Sequence, residues 1–446
     1  MRDLTKGNIY KTFLIFAIPM VLSGILSQCY NVVNTIIAGK LLGEGALSAI
    51  GAITPIDTFI NSVFWGYGVG VGVYIAHLFG AKEYYRMKCV IINNSLMLSG
   101  IIALLSVVLI IFRGAVMDFF KVDEAVLSEC ISYFTISMAG KVAVLFSINA
   151  VQMVIAMGDS AFPLYMSMLS TLLNIGLGSG FIVFLDMDAS ALALANVISY
   201  STVGVLYIIK IASCFKKLGV YHIKIEKRTE GLLASARYAA FSSLQQASMY
   251  FAGIILSPMV NNIGTAAAAS YIVSLRVYDI NAGIYQNSSK TLATYTAQCF
   301  GAKNYEGIKK GIKVAVLQSF IFVLPLILIS SFCAEGVSGL FLPKDASPDA
   351  IGYTVNFLRW GLPFITINVV ANLYHNYFRG IGYMSALFVT TVSGSVARIV
   401  ASFILIPYFG IYGYYAGWII AWPVDALVGV GYYLFSKRCK EIRGRV

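Results

Sequence analysis

The apolar segments of this chain are too long and too numerous for a water-soluble protein. They recur along the whole sequence, and about 20 apolar residues are what a helix needs to cross a bilayer. Only 12% of the 446 residues are charged, whereas soluble domains carry roughly 25%. Hydrocarbon offers the backbone no hydrogen bonds, so segments of this kind predict helices. We therefore expect an all-α integral membrane protein with about twelve transmembrane helices.

The positive charges lie where the positive-inside rule predicts them. The net charge is +12, but Lys and Arg cluster at the ends of apolar segments instead of forming a surface for nucleic acid, so no nucleic-acid partner is expected. An even number of spans places both termini on one side, and the basic ends assign that side to the cytoplasm. We expect a monomer in the lipid bilayer of the bacterial cytoplasmic membrane.

The sequence repeats itself across a basic connection. Residues 74–88 read YIAHLFGAKEYYRMK and residues 295–309 read YTAQCFGAKNYEGIK, identical at eight of fifteen positions. Gly158 and Gly382 form a second pairing. The predicted organisation is an N-terminal six-helix lobe (1–214), a cytoplasmic linker (215–231) and a C-terminal six-helix lobe (232–446). Parallel repeats of this kind place a substrate path between the lobes, around a central cavity.

Polar residues inside the predicted spans indicate that path, because a polar group in hydrocarbon must face protein or water. The segment 265–299 carries Arg276, Asp279, Gln286 and Lys290 on one face. Arg276 and Asp279 are either a structural ion pair or part of a site, and Gln286 and Lys290 are expected to border the cavity. The eight candidate substrate- or ion-binding residues are Asn34, Asp57, Gln245, Asp279, Gln286, Lys290, His375 and Asp425.

Two interpretations stay open for these residues. The neutral side chains can simply hydrogen-bond between membrane helices, at roughly 0.6 kcal/mol each. The acids and His375 can instead titrate during transport. No HExxH, P-loop or GxSxG motif occurs in a plausible context, and the three His and seven Cys have no metal-site spacing. We expect a transporter and no enzyme, with no metal and no cofactor apart from coupling H⁺ or Na⁺.

Several motifs together resemble the multidrug and toxic compound extrusion (MATE) family, of the multidrug/oligosaccharidyl-lipid/polysaccharide flippase superfamily. They are IPMVLSGILSQCYNVVNTIIAGKLLGEGALSAIGA (18–52), GAK at 80 and 301, MGDSAFPLY (157–165), LLNIGL (172–177), FRGIG (378–382), Arg398 and GIYGYYAGWIIAW (410–422). The resemblance implies alternating access and export of small organic molecules in exchange for H⁺ or Na⁺.

The chain departs from the family pattern at its usual coupling sites. Asn34 stands where bacterial members commonly have Asp. The seventh predicted span (233–260) has Gln245 and Gln246 where another subgroup has Glu. An amide takes up no proton, so coupling is expected to use Asp57, Asp279, Asp425 or His375. The alternatives are a lipid-linked precursor flippase or a specialised exporter of an anionic or zwitterionic metabolite, which interior cations such as Lys141 favour.

Overall fold

The computed structural model describes residues 2–37, 42–120, 122, 124–221, 229–343 and 346–444, and these residues form helices and connecting turns with no β-strand. The first half contains α1 (Ile9–Ile37), α2 (Gly43–Gly80), α3 (Tyr84–Ile111), α4 (Arg113–Phe119), α5 (Leu127–Ala139), α6 (Lys141–Ala156), α7 (Ala161–Leu185) and α8 (Ser190–Lys217). The second half contains α9 (Thr229–Asn261), α10 (Thr265–Gly301), α11 (Tyr305–Phe332), α12 (Ala334–Phe341), α13 (Pro348–Asn356), α14 (Ile365–Gly380), α15 (Met384–Phe409), α16 (Ile411–Phe435) and α17 (Lys437–Arg443).

Twelve long helical stretches correspond to the twelve predicted spans. In the described part of the chain, eight helices are long and apolar enough to cross a membrane, and α5 with α6 forms a ninth, bent span. The other three stretches are α9, α10 and the run from α13 to α14. These three carry most of the candidate polar residues, which explains why they are less apolar than the rest.

The fourth span of each half is broken. In the first half α5 and α6 meet at Gly140 with a bend of 51°. A Cβ at Gly140 would lie 2.1 Å from a methyl carbon of Val197, so only glycine allows α8 to approach the break this closely. In the second half a π-helical turn (Phe357–Gly361) and a 3₁₀ turn (Leu362–Phe364) separate α13 from α14. Pro363, which has no backbone N–H to donate to a helix, lies in that 3₁₀ turn.

The turns show that the two halves are structural repeats. Lys82 and Lys303, the lysines of the two GAK motifs, both have positive φ, at 61° and 57°. Their preceding helices end with the same hydrogen bonds, and the backbone N–H of each lysine donates to the carbonyl three residues earlier at 3.1 Å. Gly158 and Gly382 repeat this geometry with φ of 81° and 69°. The predicted repeat is therefore present in the backbone.

The chain divides into two compact units of similar size. Unit 1 comprises Met1–Asp3 and Leu22–Ser243, and unit 2 comprises Leu4–Val21 and Leu244–Val446. The core of unit 1 includes Phe134 and Leu145, both fully buried. In unit 2 the N-terminal segment is held by a hydrogen bond from the Leu4 backbone N–H to Gln298 Oε1 at 3.0 Å. Each unit thus has its own buried interior, and each interior contains polar side chains.

Candidate functional site

A connected set of polar side chains lies inside unit 2, on helices α9, α14, α15 and α16. We call it the His375–Asp425 network. Its members are Gln245, His375, Asn376, Arg379, Thr391 and Asp425. Three of the eight predicted site residues, Gln245, His375 and Asp425, are brought together here although 180 positions separate the first from the last in sequence.

The centre of the network is an imidazole–carboxylate pair. His375 Nε2 lies 2.8 Å from Asp425 Oδ1, and the two side chains are only 8% and 13% exposed. The Thr391 hydroxyl lies 3.4 Å from the same His375 nitrogen and donates its own proton to the Leu387 carbonyl. A carboxylate is stable in such surroundings only with a hydrogen-bonding or charged partner.

A buried cation forms the other end of the network. Arg379 donates from Nη2 to Gln245 Oε1 at 2.6 Å and from Nη1 to Asn376 Oδ1 at 3.0 Å. Gln245 Nε2 in turn donates to the Thr391 hydroxyl at 3.1 Å, which connects Arg379 to the His375–Asp425 pair. Arg379 Nε has no partner, and no acid lies within ion-pair distance of this side chain in the described residues. The guanidinium is therefore held by amides and keeps its full positive charge.

Helix geometry explains why these residues meet. Asn372, His375, Asn376 and Arg379 follow one another at helical spacing on α14, so they share one face. Asp425 reaches that face because α15 and α16 approach closely at Gly394. A Cβ at Gly394 would lie 3.0 Å from the Asp425 Cβ.

Helix α10 contributes a second group of candidates. The structure does not form the ion pair that the Arg276 and Asp279 spacing suggested: in the described residues Asp279 has no hydrogen-bond or ion-pair partner, and Arg276 is exposed. Gln286 is half-buried. Lys290 donates to Asn287 Oδ1 at 2.8 Å.

Aromatic rings surround the residue that precedes Asp279. Tyr278 stacks on Trp418 and Trp422, with ring centroids 5.1 Å and 6.0 Å away. Asn368 donates to the Tyr278 and Tyr285 hydroxyls at 3.2 Å and 2.9 Å. The two tryptophans are only 4% and 7% exposed, so these rings pack on one another inside unit 2.

Asp57 has a different environment, in unit 1. Its Oδ1 forms an ion pair with Lys141, which is only 3% exposed, and its Oδ2 accepts a hydrogen bond from Asn61 at 2.8 Å. Lys141 is the first residue of α6, directly after the break at Gly140, so the pair connects this broken span to α2. The predicted candidate Asp57 is thus neutralised by a buried partner.

One predicted residue cannot be placed. The Asn34 side chain lies outside the described part of the structure. Conversely, no sequence pattern points to Thr391, since isolated threonines are common in membrane helices. Arg379 is one polar residue among several in its span. Only the fold shows that both contact Gln245.

The chain is similar to known transport proteins over most of its length. The MatE family profile matches residues 19–179 and 242–404. Multidrug export protein MepA of Staphylococcus haemolyticus is 23% identical over 437 residues, covering 97% of this chain and 95% of the relative. The probable multidrug resistance protein YoeA of Bacillus subtilis is 22% identical over 453 residues, covering 98% and 96%.

Solved structures share the fold over the full length. An outward-facing multidrug resistance MATE family transporter of the MOP superfamily matches with a TM-score of 0.87 and 21% identity, covering 99% of this chain and 98% of that one. A MOP superfamily transporter from Pyrococcus furiosus, described as having a binding pocket of reverse polarity, matches with a TM-score of 0.88 and 20% identity over the same shares. The family match, the repeated helices and the polar interior agree: this chain belongs to the MatE family and is a multi-pass membrane transporter.

Proposed function

We propose that this protein exports small organic molecules from the cytoplasm by alternating access, in exchange for protons, and that the His375–Asp425 pair takes up the coupling proton. The single observation that carries the proposal is the 2.8 Å contact between His375 Nε2 and Asp425 Oδ1 in the interior of unit 2. The relatives MepA and YoeA, named for multidrug export and resistance, support export as the direction of transport.

The chemistry of the pair favours H⁺ over Na⁺. Sodium is a hard cation and binds through several oxygen ligands, as Ca²⁺ and Mg²⁺ do. The closest described partner of Asp425 is an imidazole nitrogen, and the next group along the network is a hydroxyl that already donates to Leu387. An imidazole beside a carboxylate instead binds or releases a proton near neutral pH.

Coupling follows from the charge of the network. A proton gained by His375–Asp425 adds positive charge close to Arg379, and this disfavours a cationic substrate bound nearby. Loss of the proton restores the carboxylate's attraction. Because coupling between two ligands is reciprocal, a substrate that binds the deprotonated pair more tightly also weakens the binding of the proton. This mutual exclusion is the requirement for exchange of drug and proton.

The test is transport by purified protein in proteoliposomes, driven by an imposed pH gradient or by a Na⁺ gradient. We expect dye transport when the solution at the extracellular face of the protein is the more acidic one. A Na⁺ gradient at equal pH should drive none. Asp425→Asn and His375→Gln should lose the response to the pH gradient. Asp349→Asn, the same change at an exposed position at the start of α13, serves as the matched control. Transport that follows Na⁺ alone would reject the proposal.

A second candidate rests on the cations of the same region. Arg379 has no acidic partner among the described residues, and Lys290 of α10 is a second cation inside unit 2. Both could receive a carboxylate or phosphate, as in a specialised exporter of an anionic or zwitterionic metabolite or in a lipid-linked precursor flippase. The similarity to the Pyrococcus furiosus transporter with a pocket of reverse polarity is consistent with this. A panel of cationic, zwitterionic and anionic dyes distinguishes the candidates, and we expect Lys290→Gln to weaken only anionic substrates.

The remaining parts of the proposal concern cellular context. We place the protein in the bacterial cytoplasmic membrane as a monomer, with both termini and the linker 215–231 in the cytoplasm. The Lys and Arg distribution supports this orientation. With it, the GAK turns and α17 face the cytoplasm.

A further inference from the structure

A cleft of about 590 Å³ lies in unit 2, away from the His375–Asp425 network. Its walls combine aromatic rings with charged side chains. The lining residues are Phe300, Tyr305, Tyr383, Lys437, Arg438, Glu441 and Ile442. Nothing in the proposed transport reaction uses these residues.

The cleft lies where spanning helices end. Phe300 is in the last turn of α10, Tyr305 begins α11, and Tyr383 directly precedes α15. Lys437 begins α17 only two residues after α16 ends at Phe435. Tyrosines at helix ends are typical of the level of the lipid headgroups. The cleft is therefore at the height of the membrane surface.

Helix α17 is fixed against the protein and presents its basic face outward. Cys439 and Ile442 are 0% and 4% exposed, whereas Lys437 and Glu441 are exposed. The Ser436 hydroxyl caps the helix by accepting from the Cys439 backbone N–H at 3.4 Å. The apolar side of α17 is therefore used against the protein, and Lys437 and Glu441 are left facing the surroundings.

Arg438 is positioned before any ligand arrives. Its Nη2 donates to the Ile381 carbonyl at 2.6 Å, and its guanidinium lies 5.6 Å and 5.7 Å from the ring centroids of Phe300 and Tyr383. In the described residues neither Arg438 nor Lys437 has an acidic partner within ion-pair distance. An oriented guanidinium with free N–H groups, next to a lysine, is suited to a phosphate.

We propose that this cleft binds the headgroup of an anionic phospholipid. Arg438 and Lys437 hold the phosphodiester, and Glu441 on the same wall accepts a hydrogen bond from a headgroup hydroxyl. The two cations and one acid give the cleft a net charge of opposite sign to a singly charged headgroup such as phosphatidylglycerol. The acyl chains then lie along the neighbouring ends of the spanning helices, in the cytoplasmic leaflet under the proposed orientation.

The experiment is native mass spectrometry of the purified protein in detergent, titrated with phosphatidylglycerol, phosphatidylethanolamine or phosphatidylcholine of equal chain length. We expect the parent to bind phosphatidylglycerol most tightly. Lys437→Gln should weaken this binding about fivefold, the effect of about 1 kcal/mol expected for one basic residue at an anionic surface. Lys310→Gln removes an exposed lysine of neighbouring α11 outside the cleft and should change nothing.

Three outcomes would overturn the proposal. The first is equal binding of the three lipids. The second is parent-like phosphatidylglycerol binding in both Lys437→Gln and Arg438→Gln. Lys437 is exposed, so its replacement leaves the buried side of α17 unchanged. The third is binding of soluble glycerophosphoglycerol as tightly as the lipid, which would make the cleft a site for free phosphate esters. Loss of phosphatidylglycerol selectivity in Lys437→Gln alone would support the lipid site.

Discussion

Asp57 and Asp425 are both carboxylates inside membrane helices, and their partners separate their roles. Asp57 is paired with Lys141, a primary amine whose charge is needed to compensate the acid. Asp425 is paired with His375, whose imidazole carries a charge only when it is protonated. The sequence could not distinguish the two acids, because their partners are 84 and 50 positions away.

At Asp57 we predict a structural effect. Asp57→Asn leaves the buried Lys141 ammonium without its partner, and breaking a buried pair on one side costs ~3–5 kcal/mol. The variant should therefore unfold at a lower temperature in detergent than the parent. The double variant Asp57→Asn with Lys141→Met removes both charges and should recover most of the loss.

The same double variant separates structure from coupling. We expect it to keep transport driven by a pH gradient. If it folds as well as the parent but no longer responds to the gradient, the coupling proton binds in unit 1 and not at Asp425.

Asp159, in the turn between α6 and α7, gives a stability prediction with pH. Burial raises the pKa of this carboxyl, but the hydrogen bond and charge of Lys210, 2.7 Å away, together with the Phe162 backbone N–H, outweigh it and lower the pKa below its usual range. A carboxyl with a lowered pKa in the folded state contributes stability above its unfolded pKa of about 3.9, and loses it as pH falls through the folded value.

The measurement is the unfolding temperature of the parent and of Asp159→Asn as a function of pH. At pH 7 the variant should unfold at a lower temperature than the parent. The difference should shrink as the pH falls below about 4. A difference that is constant down to the acid limit would show that the ion pair contributes nothing.

At the scale of helices, the site depends on how closely α15 and α16 approach. Gly394 of α15 leaves room for Asp425, whose Cβ and Cγ lie 3.0 Å and 3.4 Å from the place a Cβ would occupy. Gly394→Ala should displace the carboxylate and lengthen its contact with His375. We expect reduced proton-driven transport with substrate binding largely kept.

Gly431→Ala is the control for this helix pair. It adds the same methyl group on α16, where nothing lies within 4 Å. Both variants should be compared for dye binding and for transport under the same pH gradient. Equal transport in the two would mean that the position of Asp425 is not critical.

Helices were easier to predict than contacts. Apolar length located the spans, because that signal is local. The Arg276–Asp279 pair was a reasonable expectation from spacing, yet the two side chains do not meet. Spacing on one helix limits which residues share a face, but the neighbouring helices decide which partners they find. Thr391 shows this limit most clearly, since its role depends entirely on Gln245 and His375.

For the whole molecule, the repeat shows where the two halves have diverged. The turns at Lys82 and Lys303 keep the same backbone geometry. The network does not repeat: at the offset that separates Gly158 from Gly382, the counterparts of His375 and Asp425 are Val151 and Ser201. One half has thus kept the fold without this titratable pair. We infer that coupling is asymmetric and belongs to unit 2.

Orientation is a prediction for the whole chain. The positive-inside rule places both termini and the linker in the cytoplasm. In a cysteine-free background, a Cys at Lys224 should resist a membrane-impermeant thiol reagent in intact cells, and a Cys at Asp123 should react. Both positions lie outside the described residues, so the labelling result is independent of the structure. Labelling at position 224 in intact cells would reverse the orientation.

The central claim is that substrate and proton exclude each other at His375–Asp425. The most direct test is proton release from purified protein in weakly buffered detergent solution when a transported dye is added. The parent and Asp349→Asn should release protons on binding. Asp425→Asn lacks the carboxylate's attraction and needs more dye for saturation, but it should release none even when saturated. Proton release from Asp425→Asn equal to that of the parent would contradict the account.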